Sequence, residues 1–200
     1  MRTNIEERHI ESTFTAKSQN FTIEASAKAF QILSSNLYTD KPLAIVRELS
    51  ANALDAHVEA EQTKPFEITL PNRLNPSFEI RDYGIGMSPE TINTLYKTFF
   101  GSDKNQSNKA IGGLGLGSKT PFSYTDTFTL FSYWEGKKYT WLCLIEETGQ
   151  PSISQVAVSD TDEERGIHYV IPVKNEDFNT FADKTRRVLR YFPVDSYKVT

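Results

Sequence analysis

Two runs rich in aromatic and β-branched residues, TDTFTLFSYW at 125–134 and KKYTWLCLIE at 137–146, flank the pair Glu135–Gly136. A two-residue junction containing glycine between such runs is a strong short-range signal for a β-hairpin. The middle of this chain must therefore contribute antiparallel strands to a sheet. Shorter runs at 66–71 (FEITLP), 77–82 (SFEIRD), 153–160 (ISQVAVSD) and 166–173 (GIHYVIPV) read as further strands of one antiparallel or mixed sheet. The closing YFPVDSYKVT has strand-like content, and the opening ERHIESTFTAKSQNFTIEA alternates weakly, as a hairpin can.

Helical spacing lies between these runs. The clearest case covers about 43–62, where Ile45, Leu49, Ala53, Ala56 and Ala60 recur at three and four and mark one apolar face. Pro42 suits its first turn. A second helix is expected after Ser88, a cap, and Pro89, with Ile92, Leu95 and Tyr96 on it. Others are expected over about 24–34, near 115–123, and over 175–190 with Phe178, Phe181, Val188 and Leu189. A sheet and helices that are each apolar on one side bury both surfaces by packing together. The expected fold class is α/β, a two-layer helix-over-sheet sandwich with a largely antiparallel or mixed sheet. Repeated parallel βα units do not fit this order.

The composition supplies a core for such a fold: 38% of the residues are hydrophobic and 12% aromatic, unlike a disordered chain. Formal charge is -4, which gives no direct nucleic-acid signal. The lone Cys143 sits in the apolar run WLCLI and reads as a buried thiol, so cytoplasm is the natural compartment. No apolar run is long enough for a transmembrane segment. The expected organisation is a single domain over 1–200, with 1–22 as an amino-terminal extension, forming the amino-terminal part of a longer protein.

Three segments carry polar chemistry. In RELSANALDAH, Glu48, Asn52 and Asp55 lie at i, i+4 and i+7 and share one side of a helix. Asn52 can offer a carbonyl oxygen to a divalent cation, and Glu48, one turn away, can polarise a water. A solvated acidic face, with Arg47 paired to a carboxylate, accounts for the same spacing. His57 reads as a structural histidine, with no second histidine at metal spacing. In DYGIGM, Asp82 ends a strand and is followed by Gly84, Ile85, Gly86 and Met87. An aspartate there can accept from an exocyclic amine of a base while Ile85 and Met87 cover the ring; an ordinary strand-to-helix turn is the alternative. In IGGLGLGSK, Gly112, Gly113, Gly115 and Gly117 crowd together. Their backbone N–H groups suit a phosphate, particularly at a helix start, and Ser118, Lys119 or Thr120 can add to it. A flexible hinge is the competing reading. Lys104 and Lys109 precede this loop. Neither the Walker pattern nor the dinucleotide-binding pattern fits it.

Taken in order, FQILSSNLYTDKPLAIVRELSANALDAH, RDYGIGMSPETINTLYKTFFGSDK and IGGLGLGSKTPFSY resemble the ATPase superfamily of gyrase B, Hsp90, histidine kinases and MutL, the GHKL or Bergerat-fold proteins. Locally they are most similar to Hsp90. The wider pattern, including FTIEASAKAFQILSSNLYTDK, resembles the amino-terminal part of the phage rapid-lysis A proteins. The superfamily resemblance implies a site for ATP or ADP with Mg2+. It gives Glu48 the activation of water, Asn52 the metal, and Asp55 a polar place beside the nucleotide. It gives Asp82 the adenine amino group, Gly84 and Gly86 the shape of that corner, and Met87 a contact beside the base. Gly112, Gly113, Leu114, Gly115, Leu116 and Gly117 then form the phosphate loop, and Thr98 to Ile111 the lid. In one departure from the superfamily, Ile167 follows Gly166 where a threonine is usual; Thr161 is a candidate substitute. A lysine that several relatives supply from a following domain has no counterpart in this sequence. The implied function is magnesium-dependent ATP binding with slow hydrolysis, acting as a conformational switch. The alternatives are a nucleotide-binding module without turnover, or a partner-binding domain with a degenerate pocket. The resemblance also implies homodimerisation, a host or phage protein partner, and a place in the bacterial host cytoplasm or peripherally at the inner membrane.

Overall fold

The computed structural model describes residues 38–97 and 117–200. The expected amino-terminal hairpin, the helix over 24–34 and the lid segment lie outside these residues. Seven strands form one sheet, with β1 (Phe66–Thr69), β2 (Ser77–Arg81), β3 (Thr127–Trp134), β4 (Lys137–Ile145), β5 (Pro151–Asp160), β6 (Gly166–Pro172) and β7 (Tyr197–Val199) in the spatial order β5-β4-β3-β6-β2-β1-β7. Every pairing is antiparallel except β1 with β7, so the sheet is mixed. The Glu135–Gly136 junction closes the β3–β4 hairpin with positive φ at both residues, 49° and 71°. This is the left-handed geometry that a tight two-residue hairpin turn requires.

Helix α1 (Lys41–Glu59) begins where Asp40 accepts the Leu43 N–H at 3.2 Å. The Asp40 carboxylate also receives Lys184 Nζ at 2.6 Å, from helix α3 (Phe178–Leu189). This pins the start of α1 to α3. Helix α2 (Pro89–Lys97) is capped by the Ser88 hydroxyl, which accepts the Thr91 N–H. Ile92 enters the core; the side chains of Leu95 and Tyr96 lie outside the described residues. The segment expected to be a helix near 115–123 forms a 3-10 turn, Gly117–Ser123, containing Pro121. Proline has no N–H to continue a ladder of i to i−4 bonds, which favours the short, tighter form.

The helices and the sheet share one core. Ile45, Val46, Leu49 and Ala53 of α1 pack with Phe66, Ile68, Phe78, Ile80, Phe128, Leu130, Ile171 and Phe181. The helix-over-sheet sandwich is therefore the fold. One detail differs from the sequence pattern: α1 ends at Glu59, and Ala60 is exposed. His57 takes the last buried position instead.

Candidate functional site

The described parts of the three motifs meet along α1, with Gly117 near Glu48 and Asn52 and Gly84 near Ala56. Asn52 is half-buried on this helix, one turn after Glu48. Gly117, the first described residue of the glycine loop, lies directly against both. A Cβ added at Gly117 would sit 3.2 Å from Glu48 Oε2 and 3.3 Å from the Asn52 side-chain nitrogen. The loop backbone therefore reaches the carboxylate and the amide with no room between for a larger residue to settle unaltered. Gly112, Gly113, Leu114, Gly115 and Leu116 lie outside the described residues. After Gly117, the Thr120 hydroxyl donates back to the Gly117 carbonyl at 2.8 Å. Lys119 is buried, and desolvation lowers its ammonium to about 8.

Asp82 continues from β2 and remains in register with β6, its N–H bonding the Ile167 carbonyl at 2.9 Å. Its side chain is buried and accepts the Gly84 N–H at 3.0 Å. Burial pushes its carboxyl up to about 6, against the opposing effects of the Gly84 N–H, Arg81 and the Ile167 backbone. A buried carboxylate with one local donor can accept further donors from a ligand. Gly84 makes the approach of this corner to α1 feasible: a Cβ would lie 2.6 Å from the Ala56 backbone and side chain. Gly86 has φ of 65°. Met87 is half-buried against the core and its carbonyl accepts the Ser132 hydroxyl; Ile85 is exposed. Asp55, half-buried, lies one turn beyond Asn52 on α1.

Arg47, read from sequence as a surface partner for a carboxylate, pairs with Glu48 at 2.7 Å. Ile167, at the position where a hydroxyl was expected, is buried and contributes its backbone to Asp82. Thr161 is engaged in its own turn, where its hydroxyl accepts the Glu163 N–H. The hydroxyl nearest in register to Ile167 is that of Ser132, its β3 partner. The strand pattern SYW gives no sign of it, because the pairing is set across the sheet.

Two further residues build the corner. His57 Nε2 accepts the Tyr83 N–H at 2.7 Å, so this nitrogen carries no proton. Desolvation lowers the pKa of this ring, and the Arg81 and Lys64 charges add to that, while a backbone hydrogen bond with Lys64 opposes it. Arg81, also buried, donates to the Asp82 and Glu164 carbonyls. A lone histidine and a lone arginine in sequence carry no signal of such partners.

The structure brings together a helix bearing a carboxylate and an amide, a glycine turn against both, and a buried aspartate at the end of β2. Residues 39–120 match the sequence model of the family described as histidine kinase-, DNA gyrase B-, and HSP90-like ATPase. Residues 39–120 are thus similar to GHKL ATPase domains, on an α/β sandwich of the kind that superfamily has. The chain is also 28% identical over 199 residues to the chaperone protein HtpG of Rickettsia massiliae, covering 86% of this chain and 30% of that protein. It is 28% identical over 186 residues to HtpG of Rickettsia rickettsii, covering 80% of this chain and 28% of that protein. The match thus spans less than a third of the length of these relatives. Among the described residues, no helix is long and apolar enough to cross a membrane.

Proposed function

We propose that this chain binds Mg2+-ATP and hydrolyses it slowly to ADP and phosphate, with nucleotide state switching the conformation of the lid. The observation that carries this reading is the contact of Gly117 with both Glu48 and Asn52, on the helix whose other end abuts the Asp82 corner. In this arrangement Asp82 receives the adenine amino group, Gly84 and Gly86 shape the corner, Met87 borders the base, and Asp55 lines the nucleotide. The Gly112–Gly117 loop, with Leu114 and Leu116, covers the phosphates. Glu48 orients the attacking water. Asn52 would hold the metal through its side-chain oxygen. Among the described residues no cluster of three or more His, Cys, Asp or Glu could hold a metal. A magnesium here would therefore draw its remaining ligands from phosphate and water, as this ion commonly does. When bound, the ion would neutralise phosphate charge.

A second reading, nucleotide binding without turnover, is favoured by the Arg47–Glu48 ion pair, which engages the proposed water-activating carboxylate. Phosphate release measured with and without magnesium separates the two readings. In the catalytic case, Glu48→Ala retains ATP binding and loses turnover; unchanged turnover would remove Glu48 from the role of base. For biological setting we propose a phage protein that acts on a host or phage partner in resistance to prophage exclusion, as a homodimer in the host cytoplasm or at the inner membrane. The resemblance of 21–41 to the rapid-lysis A proteins supports this setting. Recovery of exclusion when the chain is deleted from such a phage, and its relief on complementation, would test it.

A further inference from the structure

Strand alternation places Ser77, Glu79 and Arg81 of β2 on the sheet face away from the buried Phe78 and Ile80. Arg81 is nevertheless only 7% exposed, because it is enclosed by partners. Its guanidinium lies 4.6 Å from the Tyr83 ring centroid and 4.0 Å from that of Tyr133. Lys64 Nζ stands 3.4 Å from the Tyr83 ring and pairs with the Glu164 carboxylate at 2.7 Å. The two ends of the Arg81 fork donate to the Asp82 and Glu164 carbonyls. Gly166 makes space for this arrangement: with φ of 140°, it lies where any Cβ would overlap both the Asp82 carbonyl and the Arg81 fork. A planar fork held between rings and bonded to two main-chain oxygens fixes direction as well as charge.

We propose that Arg81 is the positioning residue for base selection: by clamping the Asp82 main chain to the β5–β6 loop, it aims the Asp82 carboxylate so that an adenine amino group is accepted and a guanine carbonyl is rejected. The inference rests on the nucleotide-binding reading above. A carboxylate can only accept, so a base with a carbonyl in place of the amino group leaves two acceptors opposed. That discrimination depends on where the carboxylate points, because a side chain free to swing away evades the opposed carbonyl. Arg81 also favours the ionised form of Asp82, and a protonated carboxyl can donate to a carbonyl. Loss of the clamp therefore weakens selection in two ways, one of which grows as pH falls.

Calorimetry of ADP and GDP binding to the full chain, from pH 5.5 to 8.5, tests this in the wild type, Arg81→Lys and Arg81→Met, with thermal unfolding to verify folding. The wild type is expected to prefer ADP. Arg81→Met is expected to lose at least about tenfold in ADP affinity, the equivalent of one charge-assisted hydrogen bond. It should lose its preference for ADP, and the pH below which ADP binding weakens should move upward. Arg81→Lys keeps the charge but cannot bridge two carbonyls, so its pH profile should stay near wild type while its ADP-over-GDP ratio falls. If Arg81→Met does not fold, that ratio in Arg81→Lys decides alone. A wild type that prefers ADP, with variants of the same ratio and pH profile, overturns the role of Arg81 and leaves the nucleotide reading standing. A wild type that binds both bases equally overturns base selection, and one that binds neither overturns both inferences.

Discussion

Replacing Asp82 with asparagine is expected to abolish ADP binding and at the same time to stabilise the protein at neutral pH. The two effects have one cause. Asp82 is buried, and desolvation raises its carboxyl from 3.8 to about 6. At about 1.4 kcal/mol per pH unit, that gap means the ionised form costs the fold about 3 kcal/mol at pH 7. The sign follows from proton binding. Between pH 3.8 and about 6 the folded state holds the proton more tightly than the unfolded chain, so the contribution of this group is greatest below that window and is lost as pH rises through it. Asparagine never ionises, and its oxygen can still accept the Gly84 N–H. Its amide adds a donor that needs a partner, at a cost of about 1–3 kcal/mol, which leaves an expected net gain of up to about 2 kcal/mol at pH 7. Urea unfolding of both proteins at pH 4, 5, 6 and 7 measures the difference directly. Asp82→Asn should be no more stable than the wild type at pH 4 and should gain on it toward pH 7. An advantage independent of pH, or a variant less stable at pH 7, would refute the reasoning that burial governs this carboxyl.

Other substitutions separate scaffold from site. Gly84→Ala places a methyl 2.6 Å from the α1 backbone at Ala56, which cannot move without shifting the helix; a loss of about 1–3 kcal/mol is expected in urea unfolding, with weakened nucleotide binding. Gly117→Ala instead meets the ends of Glu48 and Asn52 at 3.2 and 3.3 Å, and these side chains can yield. Stability should change by no more than about 0.5 kcal/mol while Mg2+-ATP affinity falls, measured by calorimetry. His57→Phe leaves the Tyr83 N–H without its acceptor and should cost about 1–3 kcal/mol. Because the pKa of His57 is held below 6.5, its contribution is complete above pH 6.5 and is lost as pH falls through the folded value. The wild-type advantage over His57→Phe should shrink at acid pH, opposite in sense to the Asp82 effect.

The strands and helices were legible because each carries a local period and a local terminator. The Glu135–Gly136 hairpin, the Ser88–Pro89 helix start and the apolar face of α1 needed no distant partner to be read. So did the spacing of Glu48, Asn52 and Asp55, since helix geometry alone puts them on one side. The sequence could also offer Asp82 and its glycines as a candidate, with an ordinary strand-to-helix turn as the alternative, because the pattern is short and local. Tertiary structure decided the rest. Gly117 meets Glu48 and Asn52 only when a loop some 65 residues further along the chain folds back onto α1. The buried placement of His57 and Arg81, and hence what each one holds, depends on strands far away in sequence. The same is true of the Asp82 carboxyl, whose raised pKa comes from surroundings assembled by α1, β2 and β6. A local sequence pattern sets which groups are offered and which way they face. Desolvation and hydrogen-bond partners arise only from packing, and they determine what those groups can do.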